Sequence, residues 1–151
     1  GLRLGWIQAH EGVIQQLSGS GLLDSGGGMN PFTSALVAGL IKAGDLRKNI
    51  QQLKAAYQRR LEAMAAALAE HLSWAEYRVP EGGFFFWVRL PGVQTALIRD
   101  TARAHQVDFR PGELFSSCQG LTDSLRLSFS YYSPEDIHTG VRRLSRCLDS
   151  S

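Results

Sequence analysis

From Leu46 to Leu72 the sequence keeps one apolar stripe without a break: Leu46, Ile50, Leu53, Tyr57, Leu61, Met64, Leu68 and Leu72 recur by fours and threes. That period belongs to one face of an α-helix, and Asp45 stands at its start as a cap. At ~1.5 Å per residue such a rod is roughly 40 Å long, more than a compact domain of this size needs, so it is expected to tie two structural regions together. Its other face, with Arg47, Lys48, Lys54, Arg59, Arg60 and Glu62, reads as solvated charge.

Ahead of the rod, Leu2, Leu4 and Trp6 alternate with Arg3, Gly5 and Ile7, the pattern of a strand. Gly5 in that setting marks either a close approach by a backbone or ligand, or a crowded packing contact, and Arg3 falls on the same face. Glu11 to Leu17 forms a short helix that Ser18-Gly19-Ser20-Gly21 stops. The segment 24–31 is too rich in glycine for regular structure and ends in Asn30 as a cap with Pro31 at the first helical position. A helix carrying Phe32, Leu36, Leu40 and Ile41 follows and ends at Gly44. The three consecutive glycines suit a flexible linker, a backbone approach to a ligand, or a turn at a subunit contact.

Beyond the rod the period changes from helix to strand. Phe84 to Leu90 is a nearly continuous apolar run between Gly82-Gly83 and Pro91-Gly92, expected at the centre of a sheet. Its four adjacent aromatics suit a sheet buried on both faces better than a stacking platform. Thr95 to His105 reads as a helix, Val107-Asp108-Phe109 as a short strand and Arg110 to Glu113 as a turn. In Ser124 to Ser130, Leu125, Leu127 and Phe129 fall on one face and Arg126 lies on the other among serines. Such an arginine is either solvated or placed to grip a carboxylate, which its planar fork matches bidentately. Ser133-Pro134-Glu135-Asp136 starts a last helix with Ile137, Val141, Leu144 and Leu148 as its buried stripe. The expected class is α/β, ending in a small mixed sheet covered by helices.

With 44% hydrophobic and 20% charged residues, a 151-residue chain buries an ordinary core. A net charge of +2 and the lack of a dense basic run give no sign of nucleic-acid binding. No apolar run approaches membrane-spanning length, and the first residues lack the apolar core of a signal peptide, so a cytoplasmic location is the default. Cys118 and Cys147 are isolated thiols, and His10, His71, His105 and His138 show no metal-ligand spacing, so no metal is expected. GxSxG, P-loop and GxGxxG motifs are absent.

Six stretches occur in an order that resembles the C-terminal part of fold-type I, pyridoxal-phosphate-dependent aminotransferases of class I and II. They are Gly1 to Trp6, Gly26 to Pro31, Tyr57 to Arg60, Pro80 to Trp87, Phe109 to Gly112 with Phe115, and Leu125 to Phe129. The likeness is nearest to the branch that holds 2-aminoadipate and kynurenine aminotransferases and the aminotransferase-like domains of GntR-type regulators. It implies that residues 1–44 end a large cofactor domain, 45–73 form a connecting helix and 74–151 make a small α+β domain. It further implies that Arg3 binds the cofactor phosphate with Gly5 allowing the tight approach, and that Arg126 binds the substrate α-carboxylate. Gly28 and Asn30 would face the active site of the partner in a homodimer. Pyridoxal 5'-phosphate is the implied cofactor, and an amino acid and a 2-oxo acid are the implied substrates. In the family the Schiff-base lysine shortly precedes the phosphate arginine, so the resemblance places it upstream of Gly1 and implies that this chain alone does not transaminate. The alternatives are an effector domain of a GntR-type regulator and a non-catalytic truncated module.

Overall fold

A computed structural model describes residues 2–19, 21, 23 and 30–149. The chain divides into two compact units, Gly1–Gln52 and Leu53–Ser151.

In the first unit, residues 2–10 form no strand. Arg3 has φ 53, a left-handed conformation that breaks the extended backbone a ladder requires. Helix α1 (Glu11–Ser18) begins where the His10 ring nitrogen Nδ1 accepts from the Gly12 amide at 3.2 Å. Helix α2 (Pro31–Lys42) has the expected start: the Asn30 side chain accepts from the Thr33 amide at 3.3 Å, and Pro31 opens the helix. Gly44 follows with φ 78, so a side chain there would be strained, and α3 (Asp45–His71) then runs for 27 residues across the boundary between the units. No helix among the described residues is long and apolar enough to cross a membrane.

The second unit is a four-stranded sheet with helices on one face. Its strands are β1 (Glu76–Tyr77), β2 (Phe85–Arg89), β3 (Arg110–Pro111) and β4 (Ser124–Ser128), in the order β1-β2-β4-β3. Every hydrogen-bonded pair is antiparallel, in place of the mixed sheet expected from the alternation of helix and strand. The reason is an insertion. Helix α4 (Thr95–Ala104) does connect two strands of like direction, β2 and β3, but β4 lies between them and pairs antiparallel with both.

Phe86, Val88, Leu125, Leu127 and Phe129 project from one face of this sheet into the core. Met64, Ala67, Leu68 and Leu72 at the end of the rod meet them there, with Ile137, Val141 and Leu144 of α5 (Pro134–Asp149). The start of α5 is a capping arrangement in which the Ser133 hydroxyl accepts from the Asp136 amide at 3.1 Å and donates to the Asp136 carboxylate at 3.0 Å. The opposite face of the sheet is open. Phe85 and Trp87 are 41% and 38% exposed, which corrects the expectation that the aromatic strand is buried on both faces. Alternation sends their neighbours Phe86 and Val88 inward and leaves them outward.

A close approach at Gly112 seats a turn beside β4. Residues Gly112–Phe115 form a 3₁₀ turn packed directly on the start of β4. A Cβ on Gly112 would collide with the Leu121 carbonyl oxygen and approach the Ser124 Cβ and carbonyl oxygen to 2.9 Å. Close by, the buried Thr95 hydroxyl donates to the Ser124 carbonyl at 2.7 Å. Substituting Gly112→Ala is therefore expected to lower unfolding free energy by about 1–3 kcal/mol, the usual cost of overpacking. Urea denaturation beside Gly82→Ala, whose Cβ meets nothing within 4 Å, checks this.

Candidate carboxylate site on the open sheet face

Arg126 sits in the middle of β4, opposite Trp87 on one side and Arg110 on the other. Its guanidinium carbon lies 3.9 Å from the centre of the Phe85 ring and 4.7 Å from that of Phe115. Phe85 arrives from the neighbouring strand at a diagonal position, within reach of a long side chain. Phe115 arrives from the 3₁₀ turn, and Trp87 packs edge-on against it with ring centres 5.4 Å apart. Aromatic faces attract the cation through their quadrupole without neutralising it. A carboxylate in their place would occupy the fork; the rings hold it and leave its N–H donors for an anion.

Beside the guanidinium opens a cleft of about 200 Å³ lined by Phe85, Asp108, Phe109, Arg110, Arg126 and Ser128. Asp108 is the acid there, and it is already engaged. Arg99 donates to both its oxygens at 2.8 and 3.1 Å, Arg103 to one at 3.3 Å, and the Phe109 amide to the other at 2.8 Å. The Arg99 guanidinium, with the Phe109 amide and Arg103 assisting, pulls the Asp108 carboxyl down to about 2. Among the described residues no ion pair joins an acid to Arg126. The site thus presents two cations, Arg126 and Arg110, to its opening.

The rod reaches the same strand. Arg60, expected on the solvated face, is half-buried and donates from Nη1 to the Ser130 carbonyl at 2.8 Å, just past the end of β4. The Ser128 and Ser130 hydroxyls lie 3.1 Å apart.

The other expected site residues lie in the first unit. Arg3 is exposed, and among the described residues no ion pair engages it. Gly5 is exposed, and a Cβ built on it meets nothing within 4 Å, so no described part of the chain crowds it. Asn30 caps α2, and Gly28 lies outside the described residues. Sequence reasoning placed Arg126 on the outward face but assigned no role to Phe85, Phe115 or Asp108. Phe85 was accessible to it, since period two puts residues 85 and 87 on one face; Phe115 comes from a loop and carries no such signal.

A sequence model of the family described as aminotransferase class I and II matches residues 1–144. The chain belongs to this family. It is 32% identical to aromatic-amino-acid aminotransferase 1 of Thermococcus litoralis over 98% of this chain and 36% of that protein. It is 29% identical to the uncharacterized HTH-type transcriptional regulator YdfD of Bacillus subtilis over 95% of this chain and 30% of that one. Among solved structures, LysN, the α-aminoadipate aminotransferase of Thermus thermophilus complexed with N-(5'-phosphopyridoxyl)-L-leucine, superposes with a TM-score of 0.81. That match has 30% identity and covers 94% of this chain and 36% of the other. The chain spans about a third of the length of the curated relatives it matches. Pyridoxal phosphate is the cofactor of the family.

The depressed Asp108 carboxyl carries a pH signature. A carboxylate whose value drops on folding stabilises the fold above its ordinary value of 3.8, and that contribution is lost as pH falls through about 2. Asp108 is half exposed, so solvent screening keeps the contribution modest. Asp108→Asn is expected to flatten this part of the acid-unfolding curve, as followed by circular dichroism between neutral and strongly acid pH.

Proposed function

We propose that this chain serves a pyridoxal-phosphate-dependent aminotransferase that moves an amino group between an amino acid and a 2-oxo acid, with Arg126 as the anchor for the substrate's α-carboxylate. The carrying observation is the guanidinium held against the Phe85 and Phe115 rings, without an acidic partner among the described residues, at the mouth of a cleft. Amino and 2-oxo acids share the α-carboxylate, so one bidentate anchor serves both half-reactions. The rings restrict where the fork lies, so the anchored acid presents its α-carbon in one orientation. They also shield one side of the ion pair from water, which strengthens it.

The donor chemistry of the first unit fits the cofactor. Arg3 would hold the phosphate of pyridoxal phosphate, a role that suits an exposed guanidinium with no acidic partner among the described residues. When bound, the cofactor supplies the electron sink that stabilises negative charge at the substrate α-carbon. In this reading residues 1–44 complete the cofactor domain, 45–73 connect it, and 74–151 form the small substrate-facing domain. The whole protein is then a cytoplasmic homodimer, with Gly28 and Asn30 toward the partner's site.

The likeness to an HTH-type regulator supports a second reading, an aminotransferase-like effector domain. Sequence upstream of Gly1 separates the two: a winged-helix segment there belongs to a regulator, and a direct start into the large domain belongs to an enzyme.

In the whole protein, Arg126→Ala is expected to raise KM for amino and 2-oxo acids alike by roughly ten- to a hundred-fold, as loss of a charge-assisted hydrogen bond implies. Steady-state kinetics with both substrates checks it, and an unchanged KM removes the anchor role. Arg3→Gln is expected to weaken pyridoxal phosphate binding, read by equilibrium dialysis, while leaving the affinity of a bare dicarboxylate inhibitor unchanged.

A further inference from the structure

On the helical side of the sheet, away from the face that carries Arg126, three side chains from two helices converge. Glu70 and His71 end α3, and His138 lies near the start of α5. His138 Nε2 is 2.9 Å from Glu70 Oε2, and His71 Nε2 is 3.6 Å from Glu70 Oε1. The ligand atoms of all three residues lie within 4.8 Å of one another. The two imidazoles meet edge to face with centres 4.7 Å apart.

A second, independent feature lies in the same cluster. His71 Nε2 is shut away from solvent and has no hydrogen-bond partner among the described residues. A buried ring nitrogen without a partner is unfavourable unless something completes it. The Glu70 carboxylate, too far away for a hydrogen bond, does not. A cation between the three groups would.

We propose that Glu70, His71 and His138 form a binding site for a divalent transition metal of the zinc type. Two imidazoles and a carboxylate are an established donor set for Zn²⁺, with bonds of about 2.0–2.2 Å. Tetrahedral bonds of that length put neighbouring ligand atoms roughly 3.3 Å apart. The observed 2.9 and 3.6 Å, each to a different oxygen of Glu70, lie either side of that spacing, and with all the ligand atoms within 4.8 Å of one another side-chain rotation draws the three groups onto one ion. Nitrogen donors disfavour magnesium and calcium, which take oxygen shells. Glu70 is largely exposed, leaving a fourth position to water. Arg142 of α5 lies close enough to Glu70 to act on it electrostatically and opposes a bound cation. The ion bolts the end of the rod to α5 and so stabilises the second unit.

The test is zinc titration of the tag-free, chelator-stripped protein by calorimetry, with Co²⁺ as a spectroscopic probe. The expected result is one equivalent of Zn²⁺ bound, visible Co²⁺ absorption typical of a tetrahedral site, and a thermal midpoint that rises with zinc and falls back with EDTA. His71→Gln and His138→Gln should each weaken zinc by at least about tenfold, the loss that even an outer-sphere substitution brings. Glu70→Gln should do the same, with its zinc-free melting curve recorded beside that of the wild type to separate lost binding from lost folding. Cys118→Ser removes the exposed thiol and should leave binding intact. Absence of stoichiometric binding overturns the site, as does wild-type affinity in the histidine variants or a loss that follows Cys118 instead.

Discussion

The ladder between β2 and β4 is the constraint on which the rest of the second unit depends. Five residue pairs, from Phe85↔Ser128 to Arg89↔Ser124, set the register. Side chains alternate strictly along both strands, so this one alignment decides two things together. It sends Phe86, Val88, Leu125 and Leu127 toward the helices, and it brings Phe85 diagonally onto the Arg126 guanidinium on the other face. A slip of one residue would place the arginine in the core and the leucines in solvent. Burial of the apolar face therefore enforces the geometry of the open one.

The two cations and the acid around the cleft divide their work by partner type. Asp108 is held by arginines and an amide that come from α4 and its own loop, and it braces β3 rather than answering Arg126. Arg126 is held by rings, which position a charge without cancelling it. Arg60 contributes by its reach: a residue of the rod bonded to the backbone just past β4 ties the strand's exit to the helix that crosses the unit boundary.

Much of this was legible in the sequence. The unbroken stripe from Leu46 to Leu72 specified α3, Asn30-Pro31 and Ser133-Pro134 marked two helix starts, and the alternation around Arg126 separated the inward from the outward face. The failures share a cause, which is that a strand is defined by its partners. Residues 2–7 alternate as a strand does and form none, because Arg3 takes a left-handed turn. The third strand lies at Arg110–Pro111 and not at residues 107–109, because the Asp108 side chain bonds the Phe109 amide and two arginines, which draws that stretch out of the ladder. The sheet is antiparallel because a strand distant in sequence inserts between two that α4 connects. Local period cannot reveal an insertion, nor a ring such as Phe115 delivered from a turn.

Gly112 gives the site an unusual freedom. The turn that carries Phe115 rests at Gly112 on the Leu121 and Ser124 carbonyl oxygens and the Ser124 Cβ, with no side chain of its own at that point. The anchor of the loop and the ring it presents are thus separate positions. Residue 115 can be exchanged for a larger, smaller or hydroxylated ring while its Cα stays where Gly112 puts it, three residues before. A lineage that keeps this one glycine can explore the chemistry above the guanidinium step by step, without re-solving the fold beneath it.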